Sequence, residues 1–352
     1  MKEIVNFFNK YLGWRNWAVL VYNSVFENMF VIFYIALRQK IDPLLFITNI
    51  FIFLLFSSFC TTYGYLINDY GDIELDILHG KNNTFQNDTK AKANLVILSF
   101  LLAIIVCGLP FWKNFLFLPI WLAWFIISTA YSIQPTRLKE RGKTGLFFVV
   151  MAQRVLPTLI IFTAFRYYDI VDIICFTIYI FFRGLSSDVN HQLGDYKNDL
   201  MTGTETYVVQ TGYTKAQKIF RFSLELEKIL LGLCLLLMSA KLSYLEIKGM
   251  PLLLPIIIFY FTVYGVSLIK VFQRNNIDVN PFVPNRKNIF QFIHHAFPSV
   301  LLSFYLLVVL SFNEPLFLII LICFIIYRKM YSIDSIINSF PVRFIRNITG
   351  SH

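Results

Sequence analysis

The sequence predicts an all-α polytopic membrane protein, and three observations carry that prediction. Of 352 residues, 57% are hydrophobic and 15% are charged, and the mean hydropathy is +0.62, outside the range of a soluble globular domain. The apolar residues fall into blocks near the ~20 residues that span a bilayer. The net charge of +10 is spread over the short segments between those blocks. Orientation and anionic headgroups explain it better than nucleic acid does.

In chain order, spans are predicted at 14–37, 42–67, 93–110, 112–130, 145–165, 169–187, 219–240, 251–271 and 289–312. A shorter apolar segment at 313–328 brings the nine transmembrane helices to ten if it also crosses. Residues 1–312 read as a single transmembrane domain, and 313–352 as an extra short helix with a basic cytosolic tail. With a cytoplasmic N-terminus, sixteen Lys and Arg residues of the first nine spans' flanks lie inside and six outside. The inner set runs from Lys2, Lys10 and Arg15 to Arg274, Arg286 and Lys287. The outer set is Arg38, Lys40, Lys113, Arg166, Lys241 and Lys248, a positive-inside bias. A tenth crossing would bring Arg328, Lys329, Arg343 and Arg346 inside as well. The polar, mixed stretch from Lys2 to Arg15 predicts no cleavable signal peptide. Cys60, Cys107, Cys175, Cys234 and Cys323 lie in apolar segments at no metal-ligand spacing and read as packing residues.

This orientation puts two acidic clusters on the inner side, each at the end of an apolar segment. After span two comes Asn68-Asp69-Tyr70-Gly71-Asp72-Ile73-Glu74-Leu75-Asp76. On a helix, Asn68, Asp72 and Asp76 stand at i, i+4 and i+8 and share a face. After span six, Asp188, Asp195 and Asp199 stand at i, i+7 and i+11, again on one face. Carboxylate and amide oxygens in such stripes suit Mg²⁺, which is held by one or two carboxylates together with substrate phosphates. A solvated helix end would explain one or two of these acids, but not two periodic stripes. His79 and Lys81 follow the first stripe, and Lys81 is within reach of a phosphate. Between the clusters, the loop Tyr131 to Lys143 carries Arg137, Lys139 and Arg141, cations suited to a pyrophosphate leaving group. The candidate active-site loops are therefore 68–92, 131–145 and 188–213.

Within the spans, Asn23, Glu27, Asn28, Gln153, Arg154 and Arg183 are too polar to face lipid. Asn23 and Glu27 are one turn apart. They would either bind an acceptor or pair with Arg154 or Arg183 to join helices. His191 is expected as a polar lining residue, and His294 and His295 as packing or interhelical hydrogen-bond residues.

The pattern resembles the UbiA-type intramembrane prenyltransferase superfamily. The matching elements are the Asn-Asp-x2-Asp-x3-Asp motif (Asn68, Asp69, Asp72, Asp76), the Tyr-Ser-x2-Pro-x-Arg-Leu-Lys-x-Arg-Gly loop (Tyr131 to Gly142), and the Asp-x6-Asp-x3-Asp motif (Asp188, Asp195, Asp199). The resemblance implies nine helices around a central cavity with a cytosolic cap. It also implies Mg²⁺-dependent ionisation of a polyprenyl diphosphate, followed by attack of an acceptor on the allylic carbocation. By position, Asn68, Asp72 and Asp76 would hold one Mg²⁺, and Asp195 and Asp199 a second. Asp188 would lie near the reacting carbon or orient Lys and Arg partners. Lys81, Tyr131, Arg137, Lys139 and Arg141 would hold the diphosphate. Many family members continue with an Arg-Pro pair after the position of Lys81, whereas this chain has Asn82-Asn83-Thr84-Phe85.

The expected function is thus transfer of a prenyl group to a lipophilic, aromatic-type acceptor in the membrane. The alternative is a terpene cyclase of the same fold, which needs the same motifs and no acceptor. A non-catalytic isoprenoid-binding or transport protein fits least. The chain has no internal repeats and no Gly/Pro-broken helices at corresponding positions.

Overall fold

The computed structural model describes residues 2–13, 17, 19–20, 22–39, 41–78, 80–247, 249–272 and 289–328. Arg15, Lys40, His79, Lys248, Arg274, Arg286, Lys287 and the expected basic tail beyond 328 lie outside them. The chain forms two compact units, one of Met1–Glu27 with Asn49–Glu227 and one of Asn28–Thr48 with Lys228–His352.

The helices are α1 (Lys2–Phe7), α2 (Ser24–Glu27), α3 (Met29–Arg38), α4 (Pro43–Leu78), α5 (Lys90–Gly108), α6 (Phe117–Ser132) and α7 (Gly142–Ala164). They continue with α8 (Ile170–Thr202), α9 (Tyr207–Thr211), α10 (Tyr213–Lys241), α11 (Leu254–Phe272), α12 (289–313) and α13 (Leu318–Tyr327). A two-stranded hairpin, β1 (Glu246–Ile247) with β2 (Met250–Pro251), separates α10 from α11. Among the described residues five helices are long and apolar enough to cross a membrane: α4, α5 extended to Phe111, α7, α8 and Ile293–Asn313 of α12. Four shorter apolar helices accompany them, at Met29–Arg38, Phe117–Ser132, Leu254–Val266 and Pro315–Tyr327.

Three elements differ from the sequence expectation. The first span is not one helix, because the described residues turn at Asn28 between α2 and α3. The span expected at 219–240 is a helix, yet Glu225, Glu227 and Lys228 keep it out of the apolar set, and two of these charges are buried in protein, Glu227 at 3% and Lys228 at 1% exposure. The regions read as loops from 68 and 188 begin as helix. α4 runs unbroken for 36 residues and α8 for 33, about 50 Å each at 1.5 Å per residue. Both acidic motifs therefore keep helical spacing well past the length a bilayer needs.

In the first unit α6 and α8 pack against α7. Gly71 sits where a Cβ would lie 2.5 Å from the Ser132 carbonyl oxygen. Its lack of a side chain lets the first motif close onto the end of α6 and the basic loop beyond. Gly184 plays the same part on α8, where a Cβ would meet Arg154 Cγ of α7 at 2.8 Å. A buried apolar cluster of Tyr11, Leu66, Phe85, Ala93, Val96 and Phe100 joins the amino-terminal segment, α4, the following loop and α5.

In the second unit α3 packs on α12. Arg38 Nη1 donates to the Lys241 carbonyl at 2.9 Å, and Tyr244 donates to that of Leu37 at 2.7 Å. His294 is fully buried and shares a 3.0 Å hydrogen bond with Tyr260 of α11, so it does join helices. α12 contains a π-helical stretch over Phe297–Leu302, where Pro298 removes a backbone donor. All five cysteines are free.

Candidate active site

The first motif occupies the last turns of α4, and each of its carboxylates has a different partner. Asp72 is held by cations. Lys139 Nζ lies 2.6 and 2.5 Å from its two oxygens, and Arg137 Nη2 lies 2.9 Å from Oδ1. Lys139 also reaches Asn68 Oδ1 at 3.1 Å, which accepts a further bond from Ser132 Oγ at 3.2 Å. Arg137 spans the same region, donating to the Gly71 carbonyl at 3.0 Å and to Glu140 at 2.5 Å. The backbone explains its reach, because Arg137 adopts a left-handed φ of 32° just before a 3₁₀ turn at Leu138–Glu140. Burial draws the Lys139 ammonium below the ordinary lysine range, with Asp72 opposing the shift. Burial also works to lower Arg137, but Glu140 and Asp72 outweigh it and hold the guanidinium above its ordinary value.

Asp76 is held by a neutral group, and Asp69 accepts from neutral donors on the same loop. Asn83 Nδ2 donates to Asp76 Oδ2 and to the Asp69 carbonyl, both at 2.8 Å. Thr84 donates to Asp69 Oδ2 through Oγ1 at 2.5 Å and through its backbone N–H at 3.3 Å. The loop carrying Asn83 is anchored at its far end by Asp88, which takes Lys10 Nζ at 2.5 Å, Lys92 Nζ at 2.8 Å and the Tyr11 hydroxyl at 2.9 Å. Burial works to raise the Asp88 carboxyl, but those three hydrogen bonds outweigh it and bring the pKa down to about 2.

The second motif lies on the extension of α8 and has fewer partners. Asp199 Oδ2 accepts from Thr206 Oγ1 at 3.0 Å. Asp195 faces His191 at 3.5 Å, with both side chains exposed, 48% and 78% respectively. His191 therefore stands on an exposed helix face. Asp188 Oδ2 is buried and has no hydrogen-bond partner among the described residues. Tyr131 lies within electrostatic reach of Asp72 in the first motif and of Asp188 and Asp199 in the second. Lys81 in turn acts on Asp199. Arg141 stands apart from the cluster, reaching among the described residues only the Pro135 carbonyl at 3.4 Å.

Among the described residues no three His, Cys, Asp or Glu side chains gather into a cage for a metal ion. The donor set nevertheless fits Mg²⁺. Each motif offers hard oxygens from one or two carboxylates, the first adding the Asn68 amide, which is how Mg²⁺ is held when phosphate oxygens complete its octahedron.

The polar residues inside the spans pair with one another. Glu27 accepts from Arg154. Arg183 Nη1 donates to Glu227 Oε1 at 3.0 Å, and Ser186 Oγ to Glu227 Oε2 at 2.5 Å. Asn23 Oδ1 accepts from Ser57 Oγ at 2.9 Å. Arg154 Nε and Asn23 Nδ2 are buried without hydrogen-bond partners among the described residues. Sequence reasoning missed Glu227, although a carboxylate inside an apolar helix is itself a signal. It also missed Asn83 and Thr84, whose only mark was their departure from Arg-Pro.

Membrane-length apolar helices with two aspartate-bearing helix ends and a cationic loop make up the architecture of an intramembrane prenyltransferase-type protein. The chain matches the UbiA prenyltransferase family over residues 28–280 and belongs to that family. A UbiA homologue from Archaeoglobus fulgidus shares the fold. Its structure bound to DMAPP and Mg²⁺ has 18% identity and a TM-score of 0.55, with 84% of this chain and 98% of that one covered. Its structure bound to GPP and Mg²⁺ has 17% identity and a TM-score of 0.54, with 84% and 99% covered. No curated protein matches the chain.

Proposed function

We propose that the protein is a Mg²⁺-dependent intramembrane prenyltransferase that ionises a polyprenyl diphosphate, releases pyrophosphate and passes the prenyl group to a lipophilic acceptor. The observation that carries this reading is the basic loop seated on the first motif while Tyr131 lies within electrostatic reach of both motifs. The DMAPP, GPP and Mg²⁺ held by the Archaeoglobus fulgidus homologue support the same substrate class.

In this reading Asn68, Asp72 and Asp76 hold one Mg²⁺, and Asp195 and Asp199 hold a second. Bound Mg²⁺ would neutralise the diphosphate oxygens and so weaken the allylic C–O bond. Lys139 and Arg137 stand within reach of the same oxygens and share the charge that develops on the leaving group. Lys81 approaches from the loop after the first motif and Tyr131 from the end of α6, and Arg141 is an outer cation of the basic loop. Asp188 faces the reacting end of the prenyl chain.

Transfer is favoured over cyclisation by polar atoms in the apolar interior. Asn23 Nδ2, Arg154 Nε and Asp188 Oδ2 are buried without hydrogen-bond partners among the described residues, and such groups are costly unless a ligand or water satisfies them. An acceptor with a polar head on an aromatic or otherwise lipophilic body would do so. The active-site segments are expected on the cytoplasmic side, as the charge distribution of the loops requires. The deciding experiment incubates purified protein and Mg²⁺ with geranyl, farnesyl and geranylgeranyl diphosphates, with and without aromatic and lipid acceptors, and follows pyrophosphate and organic products by mass spectrometry. Reaction only with acceptor supports transfer. A cyclic hydrocarbon or alcohol formed without acceptor replaces it with the cyclase.

A further inference from the structure

We propose that Asn83 is a positioning residue for Asp76: its amide fixes the carboxylate in the orientation from which the free oxygen reaches a metal ion. The inference rests on the reading of Asp76 as a Mg²⁺ ligand and assigns a role to a loop residue outside the three motifs.

The geometry is specific. Asn83 is 5% exposed, and its polar side-chain atoms are committed to three contacts. Nδ2 donates to Asp76 Oδ2 and to the Asp69 carbonyl, both at 2.8 Å, and Oδ1 accepts from the Phe85 backbone N–H at 2.9 Å. The third contact is local and sets the turn. The first two point across the loop to α4. Position along the chain is enforced by the two residues that follow. Thr84 is bonded to Asp69, and Phe85 is 1% exposed, packed in the cluster with Tyr11 and Leu66. Asn83 therefore presents its amide from a fixed place.

Asp76 needs such a partner. It lies in the last turn of α4, which ends at Leu78, where the helix dipole disfavours a carboxylate. An amide N–H binds one carboxylate oxygen without bringing a positive charge that would compete with a cation for the other. Lys139 and Arg137 do bring that charge to Asp72. Within one motif, then, a neutral donor orients Asp76 and cations neutralise Asp72. Groups that orient metal ligands through hydrogen bonds are worth about 10–100-fold in metal affinity when removed.

The test titrates the full-length protein in detergent with Mn²⁺ and inorganic pyrophosphate, reading bound Mn²⁺ by electron paramagnetic resonance. Asn83→Ala and the space-filling Asn83→Leu should weaken Mn²⁺ about 10–100-fold, and should raise the Mg²⁺ needed for half-maximal activity more than they lower kcat at saturating Mg²⁺. Asp88→Asn loosens the same loop without touching Asp76 and should leave Mn²⁺ affinity within about twofold of the parent. In an Asp76→Ala background Asn83→Ala should have no further effect, the non-additivity expected of residues acting through one another. Wild-type affinity in both Asn83 variants, an equal loss in Asp88→Asn, or an undiminished Asn83 effect without Asp76 would each overturn the proposal. Wild-type Mn²⁺ affinity in Asp76→Ala would instead remove Asp76 from the metal site and take the functional reading of that residue with it.

Discussion

The two acidic motifs share a spacing rule but not a degree of support. Asp72 of the first makes charge-assisted bonds to two cations, and Asp69 and Asp76 are tied to a loop whose far end is clamped at Asp88. In the second, among the described residues, Asp199 has one hydroxyl partner, Asp195 a distant exposed histidine, and Asp188 a buried oxygen with none. The first is preorganised at the expense of bringing cations into contact with a candidate metal ligand. The second is cheaper to build and more open to solvent. A preorganised half can fix where a diphosphate sits, while an open half can admit and release it.

The strongest challenge to that contrast is removal of one carboxylate from each side. Asp72→Ala and Asp195→Ala should each reduce pyrophosphate release at least about 10³-fold, with helical content in detergent unchanged by circular dichroism. Near-wild-type release in either variant would sink the two-metal arrangement. Next comes the basic loop. Lys139→Gln should lower kcat/KM about 10²-fold, whereas Arg141→Gln, altering a residue that among the described residues reaches only the Pro135 carbonyl, should change it less than about threefold. Equal losses would mean that contact with the first motif does not distinguish the cations. A smaller effect is expected from Thr206→Val, which removes the partner of Asp199. Losing about 1 kcal/mol should raise the Mg²⁺ concentration for half activity roughly fivefold.

The smallest effect at neutral pH belongs to the clamp. The Asp88 pKa falls from the ordinary 3.8 to about 2 on folding, so its stabilisation is present above about pH 4 and lost as pH falls towards 2. Asp88→Asn should flatten the acid limb of a thermal-unfolding profile between those values. An unchanged acid limb would mean that Asp88 does not hold the far end of the loop.

Periodicity made the motifs legible, because a helix that stays helical keeps i, i+4 and i, i+7 positions on one face, and α4 and α8 stay helical through Asp76 and Asp199. Hydropathy likewise located most spans. The sequence could not show that the first span turns at Asn28, since Asn is as compatible with an interior polar contact as with a break. Nor could it show that Asn83 and Thr84 fold back onto Asp76 and Asp69. Those residue types are ordinary turn formers, and their partners lie 7 and 15 residues away across a loop. Charges inside the spans were visible as unsuited to lipid. Their pairing, Glu27 with Arg154 and Arg183 with Glu227, was not, because partner choice depends on the rotation of each helix about its axis.

The length of α8 has a consequence for where product goes. Its 33 residues cover about 50 Å against a hydrocarbon layer of about 30 Å, so a helix that enters oil at Ile170 carries Asp195 and Asp199 beyond the far boundary. Under the proposed function, a prenyl diphosphate bound there would be an amphiphile held at a phase boundary, its head in the aqueous layer and its tail in oil. Once the carbon–oxygen bond broke, the two halves would have opposite solubilities. Pyrophosphate would partition to water and the prenylated product to the bilayer, so the membrane itself would drive the separation that a soluble enzyme has to achieve by opening.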